Sequence, residues 1–228
     1  MDDRYDINHA ITMAARGINR RASLEETLTS IVEVAQDSLS GFDQVGISLI
    51  DRKGNVQTKA ATGELVWTLD KIQYELGEGP CVETLHDKVI VEAPDLRHDQ
   101  RWPRYVPRAV AEGLKAQLAV KLYLDDQGTL GGLNIYSTTS EDIDPEAVHM
   151  AELFAAHAAI ALGYARDRQN LNEALHSRKV IGQAIGIVME RYHLTEERAF
   201  AFLVRASSHS NVKLRDIAQA MVDEANTK

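Results

Sequence analysis

The chain has 228 residues, a net charge of -9 from 25 Lys and Arg against 34 Asp and Glu, and 44% hydrophobic residues. That length suits one large or two modest domains, and the apolar share is that of a globular chain rather than a disordered one. A single cysteine, Cys81, excludes an intrachain disulfide framework and fits a reducing compartment. The start, Met1-Asp2-Asp3-Arg4-Tyr5-Asp6, is polar and acidic where a secretory signal would be basic and then apolar. No run of apolar residues has the length of a membrane span, so the expectation is a cytoplasmic protein without a membrane partner.

Helical spacing runs from about Ile7 to Ile18. Ser23-Leu24-Glu25-Glu26 then offers a capping box to a second helix, on which Leu24, Leu28, Ile31, Ala35 and Leu39 line up. From Val45 the period changes to two, and the turn Asp51-Arg52-Lys53-Gly54-Asn55 sends Val56 to Ala60 back as a partner strand. A mainly helical insert follows from Glu64 to Leu85. Val89-Ile90-Val91 reads as a short strand, and Trp102 to Glu112 as a helix with Pro103 and Pro107 near its start. Ala116 to Leu124 and Thr129 to Ser137 form a hairpin around Asp125-Asp126-Gln127-Gly128. Pro145 then launches a long helix through Ala151, Phe154, Ala158 and Leu162. The fold class expected is α+β: a mixed or antiparallel sheet with flanking helices, joined by the long helix to a small three-helix unit. The expected boundaries are an N-terminal helix at 1–22, a sheet domain at 23–165 and a helical domain at 166–228.

No proline interrupts the helix from Glu146 to Arg191, and Leu153, Ile160, Tyr164, Leu171, Ala174, Ile181 and Val188 form a stripe in threes and fours along it. Such a stripe suits pairing with a second copy in a homodimer; a flexible break at residues 165–170 is the alternative. Further on, Ile181, Ala184, Ile185 and Val188 share one helix face, while Gly182 and Gly186 stand one turn apart. Each glycine costs about 1 kcal/mol of helix stability relative to Ala. Their presence points to something approaching the backbone closely, either a neighbouring helix or a nucleic-acid ligand. Arg178, Lys179 and Arg191 bracket this stretch with positive charge. Thr195 is placed to cap a helix whose buried face is Ala199, Phe202, Leu203 and Ala206, and Leu214, Ile217, Ala218, Met221, Val222 and Ala225 mark the last helix. Residues 1–170 carry 17 Lys and Arg against 27 Asp and Glu, and residues 171–228 carry 8 against 7. A polyanion would therefore be met by the C-terminal part.

Several residues are candidate ligand contacts. Leu76-Gly77-Glu78-Gly79-Pro80-Cys81 opens a helix where free N–H groups could receive an anion or carbonyl, with Gly79 allowing close approach; otherwise its glycines merely permit the turn. Cys81 would have a lowered pKa there if exposed, and would be an inert thiol if buried. Trp67, Tyr74 and Trp102 either line an apolar pocket over the sheet or pack in the core. His149 and His157 lie two turns apart on the long helix without the further ligands of a metal or haem first shell, and no catalytic triad can be assembled. No cofactor is named by these residues.

Two resemblances rest on these residues. Arg178, Ile181, Ala184-Ile185-Gly186-Ile187-Val188-Met189-Glu190-Arg191, Thr195-Glu196-Glu197-Arg198-Ala199-Phe200, Leu203, Lys213-Leu214 and Ile217-Ala218 together resemble an ANTAR domain. Many ANTAR members carry Lys where this chain has Ile185, which leaves the basic face to Arg178, Lys179, Arg191, Arg205, Lys213 and Arg215. Leu76 to Cys81, Val89 to Leu96, Asp99-Gln100-Arg101-Trp102-Pro103 and Gly131-Gly132-Leu133-Asn134-Ile135-Tyr136 resemble a GAF sensor domain of the kind found in actinobacterial regulators. The resemblances imply a non-enzymatic transcription antitermination regulator. Its GAF-like part would answer a small-molecule ligand and its ANTAR-like part would bind leader-transcript stem-loops. Loop bases are expected on Gly182, Ala184, Ile185 and Gly186, and phosphates on the basic residues. The alternatives are a protein-protein docking module and, with its acidic last helix against it, a helix-turn-helix DNA binder.

Overall fold

The computed structural model describes residues 23–51, 53–125 and 128–226. The helix expected from Ile7 to Ile18, Arg52 of the first turn and residues 126 and 127 of the second lie outside them.

Helix α1, Leu24–Ser38, begins at the expected capping box: Glu26 N–H donates to Ser23 Oγ (3.1 Å) and Ser23 N–H donates to Glu26 Oε2 (2.7 Å). Strands β1, Gln44–Ile50, and β2, Val56–Ala61, form the first hairpin. The predicted helical insert resolves into α2, Glu64–Leu76, and α3, Pro80–His86. Strand β3 is Ile90–Ala93, and α4, Tyr105–Ala111, starts later than the expected Trp102, beyond Pro103. Strands β4, Ala116–Leu124, and β5, Gly128–Ser137, form the second hairpin. The order across the sheet is β2-β1-β5-β4-β3 and every pairing is antiparallel, so of the two expected sheet types the antiparallel one is found.

The period of two sorts the strands' side chains onto two faces. Val45, Ile47, Leu118, Val120, Leu122, Leu133 and Ile135 form one core with α1 and the first part of α5, Pro145–Tyr192. The opposite face meets α2 and α4 through Val66, Leu69, Leu96, Trp102, Tyr105 and Tyr136. Ser48, Gln117, Asn134 and Tyr136 all belong to this second face by alternation. Thr58 joins them through an irregularity in the β1–β2 pairing. Ile47 lies opposite Ala60 and Ser48 opposite Thr58, so one extra residue turns Thr58 to the face that Ala60 avoids.

Helix α5 is continuous for 48 residues, through the 165–170 stretch where a break was the alternative. Contacts divide the chain into two compact units after Ala165. One 18-residue window of α5 is apolar enough to cross a membrane by length and composition, contrary to the expectation that no run has that character. It is 56% buried inside the protein, and the core helix of a folded domain has the same length and composition. Of the stripe expected to pair copies, Ile160, Tyr164 and Leu171 are exposed, whereas Val188 is buried within its own unit.

In the second unit the end of α5 packs with α6, Glu196–Ser210, and α7, Leu214–Asn226. The core is Val180, Ala184, Val188, Ala199, Leu203, Ala218 and Val222. Left-handed His193 (φ 52°) and Asn211 (φ 52°) stop α5 and α6. Thr195 stands at the N-cap of α6, but its side chain makes no capping hydrogen bond; its carbonyl accepts from Ala199 N–H at 2.9 Å. Phe202, expected on the buried face, lies instead on the flank and is exposed.

Candidate functional site

Two places concentrate polar or charged side chains where the fold alone does not require them. The first is the polar layer between the sheet and α2–α3. Val66, Leu69, Asp70 and Gln73 follow the i, i+3, i+4, i+7 spacing, so the helix that buries Val66 and Leu69 must bury Asp70 and Gln73 as well. The Asp70 carboxyl receives four donors. Ser48 Oγ (2.9 Å) and Thr58 Oγ1 (2.6 Å) donate to Oδ2, and Asn134 Nδ2 (3.0 Å) and the Tyr136 hydroxyl donate to Oδ1. Burial pushes the Asp70 pKa up, and the donors from Thr58, Tyr136, Ser48 and Asn134 pull against that without overcoming it.

Two relays lead into this carboxyl. The Tyr74 hydroxyl donates to Ser48 Oγ (2.5 Å) and lies 3.4 Å from Cys81 Sγ, so with its own proton committed to Ser48 it accepts from the thiol. On the other side Tyr105 donates to Gln117 Oε1 (2.6 Å), Gln117 Nε2 to Gln73 Oε1 (3.3 Å), and Gln73 Nε2 to the Tyr136 hydroxyl (3.3 Å). Among the described residues, Asn134 Oδ1 of this layer is buried with no hydrogen-bond partner. Beside it, a Cβ built on Gly132 would stand 3.5 Å from Asn134 Oδ1, 3.7 Å from Cys81 Sγ and 3.8 Å from Thr84 Oγ1.

This geometry revises the predicted ligand residues. Gly79 does sit in a conformation that favours glycine (φ 127°), but the Gln73 amide packs against its Cα, and Gln73 Oε1 takes the Cys81 N–H at 2.9 Å. The start of α3 is thus filled from within rather than open to an anion. Glu78 of the same loop clamps α4, accepting from Arg104 Nε (2.6 Å) and Arg104 N–H (2.9 Å), and Arg104 holds its carboxyl below the ordinary range. Cys81 is 0% exposed, and burial pushes its thiol up to about 12, so it is the inert case. Native protein should therefore leave Cys81 unmodified by an aromatic disulfide reagent over minutes and release one thiol equivalent only in denaturant. Rapid native labelling would contradict this placement. Trp67 is 44% exposed, Trp102 is buried with the Arg101 guanidinium 4.2 Å over its ring, and Tyr74 is in the polar layer, so the three do not line one pocket. A groove of about 520 Å³ on the opposite side of the sheet, between β4 and α5, is lined by none of the five predicted residues.

The second place is the surface of the helical unit. Ala184 is 0% exposed at the centre of its core and Ile185 is partly buried against it, which removes Ala184 from the predicted contact strip. Gly182 and Gly186 face the other way, and nothing lies within 4 Å of where their Cβ atoms would stand. Among the described residues no helix approaches them, so within these residues the neighbouring-helix explanation finds no support. Arg178 and Lys179 are exposed one turn before them. Arg191 belongs to another face, 3.8 Å from Glu224 of α7. Lys213 and Arg215 are exposed near the start of α7, with Arg215 3.1 Å from Asp216, and Arg205 is exposed on α6. The predicted basic set is therefore divided among α5, α6 and the start of α7 rather than gathered around the glycines.

Asp70, Gln73, Asn134 and Tyr136 were absent from the sequence-derived site. The available signal was two polar side chains at core positions of the α2 spacing.

Comparison with known proteins agrees with both units. The GAF domain model matches residues 21–163 and the ANTAR domain model residues 169–222. Among solved structures, the GAF domain of an Acinetobacter phosphoenolpyruvate-protein phosphotransferase is 17% identical with a TM-score of 0.59, covering 75% of this chain and 99% of that one. The corresponding Coxiella burnetii GAF domain is 17% identical with a TM-score of 0.59, over 74% and 99%. The phycoerythrobilin-bound GAF domain of a cyanobacterial phytochrome is 13% identical with a TM-score of 0.57, over 72% and 97%. These identities establish the fold alone. No curated protein matches the chain. With the GAF match covering well over half its length and the ANTAR match following it, the chain belongs to the GAF family, as a GAF–ANTAR regulator.

Proposed function

We propose that this protein is a cytoplasmic, homodimeric antitermination regulator that binds stem-loops in nascent RNA through the ANTAR domain, under control of the GAF domain. The observation that carries the reading is the bare strip at Gly182 and Gly186. Two glycines inside a helix cost about 2 kcal/mol together, and no contact among the described residues offsets that. Exposed Arg178 and Lys179 stand beside the strip, and among the described residues neither forms an ion pair. A polyanion whose backbone approaches closely fits both features. For the control step, the polar layer beneath α2 and α3 offers a small hydrogen-bond donor the unpaired Asn134 Oδ1. The exposed stripe of Ile160, Tyr164 and Leu171 supports pairing of two copies.

Binding of the full chain to tandem stem-loop RNA, titrated against salt with duplex DNA as control, tests the reading. Affinity should fall linearly in log units with log salt. Arg178→Glu with Lys179→Glu should weaken binding about 10-fold or more and flatten the slope by roughly 1.5, about 0.7 for each phosphate of single-stranded RNA that is no longer neutralised. An unchanged slope would remove these residues from the interface, and absence of RNA binding at any salt concentration would favour docking to a protein.

A further inference from the structure

A small helical unit gains most by burying its aromatic side chains, since each carries roughly 150–250 Å² of surface. The C-terminal unit does the reverse. Its buried core is Val180, Ala184, Val188, Ala199, Leu203, Ala218 and Val222, while all three of its aromatic residues, Tyr192, Phe200 and Phe202, are exposed. Two of the three are together: Tyr192 at the end of α5 is 51% exposed, Phe202 on α6 is 37% exposed, and their rings lie 5.6 Å apart at 36°. Arg198 and Arg205 stand four residues before and three after Phe202, which puts them one turn to either side on the same flank of α6. Both are exposed, and among the described residues neither guanidinium forms an ion pair.

The chemistry of this patch selects its occupant. An apolar helix laid on the two rings would strip water from two unpaired guanidinium groups and return nothing to them. A continuous duplex would satisfy the arginines but has no free base face for the rings. An unstacked base in a single-stranded loop supplies a π-face to the aromatic pair and flanking phosphates to Arg198 and Arg205. We propose that Tyr192 and Phe202 form a stacking ledge for an unpaired base of the bound RNA loop, with Arg198 and Arg205 holding the phosphates on either side. This assignment rests on the RNA-binding reading. It moves base contact from the glycine strip, which offers no side-chain face to stack on, to the α5–α6 corner.

The test uses the full chain and stem-loop RNAs carrying 2-aminopurine at successive loop positions, with the same stem as an uninterrupted RNA duplex for control. Tyr192→Leu with Phe202→Leu keeps apolar volume and removes the π-faces. It should lower affinity for looped RNA about 10-fold or more, abolish the 2-aminopurine quench, and leave duplex binding and the thermal transition unchanged. Tyr192→Phe with Phe202→Tyr keeps both rings and should bind as the wild type does, which guards against a Leu variant that fails to fold. If the Leu variant binds looped RNA as tightly as wild type while Arg178→Glu with Lys179→Glu still weakens it, the ledge is wrong and the RNA reading stands. A ring-keeping variant that loses binding also overturns the ledge. A wild-type protein that binds none of the RNAs overturns both.

Discussion

Gly131→Ala should strongly destabilise the GAF domain, and Gly132→Ala, one residue further along the same strand, should leave its stability intact. Strand β5 is central in the order β2-β1-β5-β4-β3, and Gly131 pairs with Leu49 of β1. A Cβ at Gly131 would fall far inside contact distance of the Ser48 carbonyl oxygen and 2.9 Å from the Ser48 carbonyl carbon. The obstacle is backbone, so no side-chain rotation relieves it, and the β1–β5 ladder would have to part. We expect a loss of about 3 kcal/mol or more, a large share of a typical domain's 5–15 kcal/mol. In urea this is a shift of the unfolding midpoint on the order of 1 M or more. At Gly132 the nearest atoms, 3.5 to 3.8 Å from the new methyl, are in ordinary contact. The reduced freedom of the unfolded chain then favours Ala by up to about 1 kcal/mol. Equal urea midpoints for Gly131→Ala and the wild type would refute the registered β1–β5 pairing.

Removing the Asp70 carboxyl should cost about as much, for a different reason. Asp70→Ala takes the acceptor from Ser48, Thr58, Asn134 and Tyr136 at once and leaves a cavity among them. Buried donors without partners cost about 1–3 kcal/mol each, and partial re-pairing of Ser48 with Thr58, already 3.3 Å apart, reduces the sum. A net loss of about 3 kcal/mol or more is expected. Asp70→Asn keeps the shape and the Oδ1 acceptor, and the Ser48 and Thr58 hydroxyls can turn to accept from the amide, so its loss should be smaller. The pair also separates charge from shape. Because burial raises the folded pKa of Asp70, the folded protein holds this proton at pH values where the unfolded chain has released it. Stability from this group is therefore full below the ordinary carboxylate value and is lost as pH rises from there through the folded pKa. Measured by urea unfolding, the wild type should lose stability relative to Asp70→Asn as pH climbs through that window, with other carboxylates cancelling in the difference. A constant difference, or one of opposite sign, would mean that Asp70 is not held toward its neutral form.

The elements were legible in the sequence where a local pattern fixes them. The Ser23–Glu26 capping box, the β4–β5 hairpin and the start of the long helix at Pro145 all depend on neighbours within a few residues. The site was less legible because its members are distant in sequence. Asp70 gathers Ser48, Thr58, Asn134 and Tyr136, separated from it by 22, 12, 64 and 66 residues. Cys81 shows the same limit. Its place at a helix start allows a lowered pKa if exposed and an inert thiol if buried, and packing decides for the second: Gln73 fills that start and burial pushes the thiol up.

By itself, then, the sequence determined the α+β class, the order of the elements and the kinship with GAF and ANTAR domains, since periodicity, caps and turns are properties of neighbouring residues. Tertiary structure alone decided which face each polar residue takes. One extra residue in β2 turns Thr58 toward Asp70, packing with α6 and α7 buries Ala184 and leaves Gly182 and Gly186 bare, and Phe202 comes to the surface beside Tyr192. The physical reason is that burial and hydrogen-bond pairing depend on which elements meet, and these meetings join residues far apart along the chain.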